Sequence, residues 1–386
     1  MGWDRKSLGV VRAPAPLILG RWVLAGGLAL VTCVLMFLLY ASGSAWQLQG
    51  LNIWVLSCSP LIIWLLAFGA RAYVYGGALS HQQFLEEQAQ IEQQAWQDWA
   101  HRYLAVLDSC VLLPDQVSAG VLTQGPVNFP LRTGQARRIT ALLEQGEPAL
   151  TGLGLLCSAL VQTLVALPAE QELRITLLSD VEAEQHESLL VAWNQYWATT
   201  IRNPQPGSVN VMSELSYSWI DEKLKVASAA YELILVVQVH GGALYSDGLA
   251  ALLLCLDKHA VEQDLPVQGH LLRPMPLDVT KLESELSLFL QTQTDAGLAT
   301  GMLADGADWR SLTGKLFSVG GAHGASLKVE QHWIQEHLCG PVGPLSPWLV
   351  AALGVEVARH QQRSLLVLAQ EESRYWISTV TTREQA

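Results

Sequence analysis

The stretch Val236–Leu256, VVQVHGGALYSDGLAALLLCL, decides how this chain is read. An apolar, β-branched run enters a turn carrying His240, Gly241, Gly242, Tyr245, Ser246 and Asp247, and leaves it as a second apolar run. A nucleophile elbow requires G-x-S-x-G, because its glycines let a strained turn push the serine Oγ outward. Around Ser246 the residues are Leu244-Tyr245-Ser246-Asp247-Gly248, so the first glycine is missing. His240-Gly241-Gly242 has the composition of an oxyanion element, but it would share one loop with the nucleophile it serves. A simpler reading is a strand over Leu233–Val239, a glycine turn, and a helix over Gly248–His259. Ser246 or Asp247 then caps the helix and favours its positive end, and His240 is a loop histidine.

Working outward, half of the 386 residues are hydrophobic, and they are unevenly spread. Leu17–Ala41 and Ile53–Gly69 are two apolar runs, the first broken only by Arg21 and the second with Pro60 inside it. Each approaches the ~20 residues a membrane-spanning helix needs. The first is too long for the apolar core of a signal peptide, and a second follows at once. A transmembrane helical hairpin is therefore expected. The loop between the runs is uncharged, whereas Arg5, Lys6, Arg12 and Arg71 flank the outer ends. The positive-inside rule puts both termini and everything after the hairpin in the cytoplasm, with Trp46 and Trp54 at the far interface. A net charge of −12 argues against nucleic acid as a partner. Cys33 and Cys58 fall in the spans, while Cys110, Cys157, Cys255 and Cys339 are scattered without paired spacing, as reduced thiols would be.

Leu79–Asp108 contains no Gly or Pro and reads as a long amphipathic helix leaving the membrane. The expected organisation is 1–78 for the tail and two spans, 79–112 for a stalk helix, and 113–386 for a globular domain. Within the domain, helices are expected at Gln135–Gln145, Ala149–Leu167, Glu182–Ile201, Ser216–Ala227, Thr280–Gln293, Trp309–Phe317 and Ser346–Gln362. Strands are expected at Leu173–Leu178, Val209–Met212, Leu233–Val239, Leu265–Leu272, Ser364–Ala369 and Tyr375–Thr381. This alternation predicts an α/β domain with a largely parallel sheet.

The other chemical candidates reduce to ordinary structure. His332 and His337 in HWIQEH are five apart, and Cys339 does not complete a metal-ligand set of known spacing. Gly320–Gly324 (GGAHG) has neither a phosphate-loop lysine nor the G-x-G-x-x-G spacing and reads as a loop, as does Asn203–Ser208. Glu86/Glu87 and Glu371/Glu372 read as solvated charges, and Trp193 and Trp197, one helical turn apart, as core or interface anchors. No catalytic, cofactor-binding or metal-ligating residue is assigned, and no cofactor is expected.

Two segments together resemble the thiolase and β-ketoacyl-synthase superfamily. Ser246–Leu254 (SDGLAALLL) is similar to that superfamily's SDGAAALLL segment, expected here as a helix. Gly340-Pro341-Val342-Gly343-Pro344, followed by an apolar helix and two closing strands, resembles its HPLGASG ending. The resemblance covers Leu233 to the end and implies a thiolase-like α/β domain. It also implies that the catalytic histidine would fall at Gly340, and a Cys-x-Gly turn around Ala369-Gln370-Glu371, where no cysteine stands. Cys157 lies within an expected helix rather than at a strand-to-helix turn. What the resemblance implies is a degenerate, non-catalytic version of the fold.

The overall build is also similar to accessory proteins encoded beside type VI secretion lipase effectors, which act as adaptors carrying an effector to the secretion spike. The leading expectation is thus a membrane-anchored adaptor that binds a protein partner. A membrane-bound acyl-transfer or lipid-processing enzyme, requiring a reactive Cys157 or Ser246, is the alternative from another class. An immunity protein neutralising a toxin is a third.

Overall fold

The computed structural model describes Trp3 and residues 13–42, 52–124, 132, 134–143, 146–168, 171–201, 206–226 and 228–382. Arg5, Lys6, Arg12 and Trp46, invoked for topology, and Asn203–Gln205 of the expected loop lie outside the described residues. The chain divides into two compact units, 6–95 and 96–386, the second joined by residues 1–5.

The smaller unit is a helical hairpin. Helix α1 (Leu19–Ala41) buries none of its residues in protein. Helix α2 (Ile53–His101) is continuous through Pro60. Both are long and apolar enough to cross a membrane. They pack closely where Gly26 faces Trp64, since a Cβ at Gly26 would lie 2.9 Å from the indole. The Trp64 indole N–H donates to the Trp22 carbonyl (3.1 Å), and its ring stacks on Phe68 with centroids 5.6 Å apart.

The stalk helix expected through Asp108 ends at His101. Tyr103–Leu112 is instead strand β1, with Leu104, Ala105, Val106 and Leu107 all buried. Short helices α3 (Ala119–Thr123) and α4 (Thr140–Leu143) follow. The helix expected over Gln135–Gln145 thus shrinks to one turn, because the backbone of Arg137 and Ile139 is bonded elsewhere. Next come α5 (Pro148–Ala166), β2 (Leu173–Ser179), α6 (His186–Tyr196), β3 (Pro206–Met212), α7 (Trp219–Lys225) and β4 (Tyr231–Gln238). Although α5 is also apolar enough to cross a membrane, it buries Leu153, Leu156, Leu160 and Leu164 in the core.

The main departure from expectation is Gly248–Leu256, which is strand β5 and not a helix. It lies between β4 and β1 and is antiparallel to both. Leu249, Ala251, Leu253 and Cys255 enter one core cluster, and Ala250, Leu252 and Leu254 enter another. A strand buried on both faces carries no polar alternation, so its apolar run does not differ in pattern from a buried helix. The helix comes one step later and is short, α8 (Asp257–Glu262).

The second half of the domain comprises β6 (Gly269–Leu272), β7 (Met275–Leu277), α9 (Leu282–Thr292), β8 (Gly301–Ala304), α10 (Thr313–Ala322), β9 (His332–Ile334), α11 (Gln335–Cys339), α12 (Ser346–Gln361), β10 (Leu365–Glu371) and β11 (Arg374–Thr381). Most of GGAHG, expected as a loop, is the last turn of α10.

Among the described residues the strands form one sheet of path β3-β2-β4-β5-β1-β6-β11-β10-β8-β9, with β7 paired to β11. Counted from β1, the first half reads third-second-fourth-fifth-first. Counted from β6 with β7 set aside, the second half reads the same from its own edge inward. In each half the outer three strands are parallel and the inner pairings antiparallel. The chain therefore repeats one βα unit, and the two copies meet along β1 and β6.

Helix α12 lies between the inner faces of the two halves, in one core cluster with Leu104, Ile234 and Leu252 of the first and Leu365, Val367 and Val380 of the second. The α5–α6 pair covers the outer face of the first half, and α9–α10 that of the second. Trp348 of α12 is 1% exposed, donates to the Leu215 carbonyl (2.7 Å), and meets Tyr217 and Trp219 edge-on. Trp348→Ala is expected to cost about 3–5 kcal/mol in denaturant unfolding of the solubilised protein. A loss under 1 kcal/mol would show that α12 does not hold the halves together.

Candidate functional site

The turn between β4 and β5 is fastened from three directions. The Asp180 carboxylate accepts the backbone N–H groups of Val239 (2.9 Å) and His240 (2.7 Å) and the Tyr245 hydroxyl (3.2 Å). Gln238, 2% exposed, donates to the Ser246 carbonyl (2.9 Å) and accepts from the Leu345 N–H (3.0 Å). Gly242 has φ +53°, as a left-handed turn position requires.

Ser246 and Asp247 are each 4% exposed and cap no helix. The Ser246 Oγ accepts the Arg137 N–H (3.0 Å), and the Asp247 carboxylate accepts the Ile139 N–H (3.1 Å) and pairs with the Arg138 guanidinium. Burial raises the Asp247 carboxyl above its ordinary value, opposed by Arg138. These side chains stitch segment 135–139 to the turn.

Gly340 closes the same knot. Its φ is +90°, and a Cβ there would collide with the Gln135 carbonyl oxygen and lie 2.7 Å from Ser246 Oγ. Gly343 is pressed in the same way against Gln238 and Tyr245. The position that the resemblance assigns to a histidine therefore has no room for a side chain. Gly340→Ala is expected to lose more than ~1 kcal/mol of stability. Equal melting of variant and parent would refute the packing argument.

A cleft of about 750 Å³ opens beyond the carboxyl ends of β3, β8, β9 and β10, where open α/β sheets place their ligands. Asp305, just past β8, forms its floor and is fully buried. Its carboxylate accepts four bonds, from Gly306 N (2.7 Å), Trp309 Nε1 (3.0 Å), Ser346 Oγ (3.3 Å) and Gln370 N (2.6 Å). Glu371 is not a solvated charge. It accepts from Ser216 Oγ (3.0 Å), Tyr217 N (3.1 Å) and Trp376 Nε1 (3.2 Å), tying the loop after β3 to the β10–β11 turn. Glu336 accepts from Ala307 N (2.6 Å). Glu214, Asp308, Glu372 and Arg374 complete the polar wall.

None of the cysteines lines this cleft. Cys157, Cys255 and Cys339 are buried with thiols pushed up to about 12, and Cys110 to about 11, in each case chiefly by burial. A thiolate nucleophile requires the opposite shift. His332 lies in β9 and His337 in α11, both lowered by desolvation, and they are not brought into a shared site with Cys339. Trp193 and Trp197 are core residues with rings 5.1 Å apart. Glu86 and Glu87 are exposed on α2.

Sequence reasoning missed the cleft's own residues, Asp305, Ser216 and Ser346, and placed Glu371 in solvent. A usable signal was an Asp-Gly directly after an apolar run, since strand ends in an α/β sheet are where sites are built.

Burial pushes the Asp305 carboxyl up to about 6 against its four donors. The folded chain then holds that proton more tightly than the unfolded chain, where the value is 3.8. This contribution to stability is complete below the unfolded value and lost as pH rises through the folded one. Asp305→Asn is expected to abolish that loss between about pH 4 and 6. It also turns an amide N–H toward donors, at a cost of about 1–3 kcal/mol. Unfolding midpoints measured across that range test both statements, and an unchanged pH profile would refute the first.

No protein-family model matches the chain, and no curated protein matches it. Among solved structures it is similar to one chain of the complex of a type II polyketide-synthase acyl-carrier protein with its ketosynthase (AntDE:AntF). That match has 10% identity, covers 73% of this chain and 100% of the other, and has a TM-score of 0.52. A β-ketoacyl synthase from Burkholderia phymatum STM815 matches at 10% identity over 73% of this chain and 100% of its own, with a TM-score of 0.47. The ishigamide ketosynthase/chain length factor matches at 13% identity over 72% and 99%, with a TM-score of 0.44. The first likeness shows the fold: residues beyond the hairpin adopt a thiolase-like α/β fold.

Proposed function

We propose that this is a membrane-anchored, non-catalytic member of the thiolase-like fold whose large domain binds a protein partner. One observation carries the reading. Among the described residues, those lining the cleft include neither a thiol nor an imidazole, and its two inner carboxylates are held by neutral donors. Acyl transfer needs an activated nucleophile, a positioned base and oxyanion donors. The crowding at Gly340 supports the same reading.

The hairpin anchors the protein in the inner membrane through Leu17–Ala41 and Ile53–Gly69, with both termini cytoplasmic by the positive-inside rule. By its build, the partner is a secreted effector or a component of a type VI secretion spike.

A second reading is favoured by Ser216, whose half-buried hydroxyl donates to Glu371 in the cleft. In that arrangement Ser216 would accept an acyl group with Glu371 as base.

Incubating the full-length protein in detergent with a long-chain acyl thioester, followed by intact mass measurement, separates the two readings. Unmodified protein is expected. A stoichiometric acyl adduct on Ser216, absent in Ser216→Ala, would overturn the non-catalytic reading.

A further inference from the structure

Trp3 lies far from the domain in sequence but packs upon it. Its indole N–H donates to the Pro274 carbonyl (3.3 Å). Its ring meets Trp99 edge-on at 5.2 Å and Phe289 at 5.5 Å. The surrounding groove, about 310 Å³, is walled by Trp96, Trp99, Pro274, Pro276 and Trp376.

The groove's walls are held by contacts that do not involve Trp3. Arg273 is 1% exposed, donates to the Trp99 carbonyl (3.0 Å), lies 4.0 Å beneath the Trp99 ring, and pairs with Asp221. Trp96 meets Trp99 edge-on at 5.1 Å. An aromatic wall beside the Pro274 carbonyl fits an indole, which presents an apolar body and one N–H donor. Preformed walls also reduce the ordering cost of docking.

We infer that this groove is the docking site of the segment that precedes α1, with Trp3 as its anchor. The docking puts Trp3 and the domain on one side of the membrane, so the intervening chain crosses it an even number of times. This second statement rests on the proposal that α1 and α2 span the membrane; the docking itself does not.

The test uses the full-length protein in native membrane vesicles, with p-benzoylphenylalanine in place of Trp3. Photo-cross-links are expected in peptides containing Trp99 or Phe289. Cross-links confined to lipid or to other proteins would overturn the docking. Amide exchange supplies a second readout. Trp3→Ala is expected to speed exchange around Arg273–Met275 and Phe289 by roughly threefold to tenfold, and Trp3→Phe by less. Unchanged exchange in both variants would overturn it as well. Cysteines placed at Ser7 and Ser373 should react alike with an impermeant maleimide in sealed vesicles, and labelling from opposite sides would refute the even crossing. Extraction of the protein by carbonate would instead remove the membrane reading and leave the cross-link result standing.

Discussion

The burial of α12 between the two halves of the domain is the constraint on which the rest depends. Twelve of its residues, from Ser346 to Ala358, are buried. A helix that is apolar around its circumference is stable only when apolar surface meets it on every side. Both half-sheets therefore need an apolar inner face. They also need outer helices, because their strands are apolar on the other face too. The succession of α5–α6, first half, α12, second half and α9–α10 follows from that requirement. Close approach is part of the same constraint: a Cβ at Gly354 would lie 2.6 Å from Val367, and one at Gly248 would press on Leu349.

The entry to α12 carries the constraint to the domain's polar features. Leu345 N–H is held by Gln238 at the end of β4, and Ser346 by Asp305 at the end of β8. The helix start thus joins the turn that looked catalytic to the cleft at the strand ends. In the turn, polar side chains are consumed by backbone groups of loops that form no ladder. In the cleft, Asp305 and Glu371 are consumed in the same way, one beneath α12 and one beneath the loop after β3. A carboxylate that accepts several neutral donors organises loops well and has few lone pairs left for chemistry.

Legibility followed the local character of each signal. The helices Pro148–Ala166, Leu282–Thr292 and Ser346–Gln361 and the closing hairpin were readable within a residue or two at most ends. The strands β2 and β4 were readable as β-branched runs. Gly248–Leu256 was not, because periodicity disappears when both faces are buried. Tyr103–Leu112 was absorbed into the preceding helix, since only Arg102 separates them and no Gly or Pro marks the boundary. The repeated strand order was invisible because the two copies share a topology and not a motif. The cleft was invisible because Ser216, Asp305, Ser346 and Glu371 are scattered along the chain.

The amino-acid sequence by itself determined the apolar hairpin, the acidic α/β domain, and the resemblance of Ser246–Leu254 and Gly340–Pro344 to one superfamily. Those properties depend on local composition and on the order of short segments. Tertiary structure alone decided that GLAALLLCL (Gly248–Leu256) is a central strand, that Ser246 and Asp247 bind backbone, and that Gly340 has no space for a side chain. The physical reason is that each of these depends on what packs against both faces of a segment, and those neighbours are set by the assembled sheet.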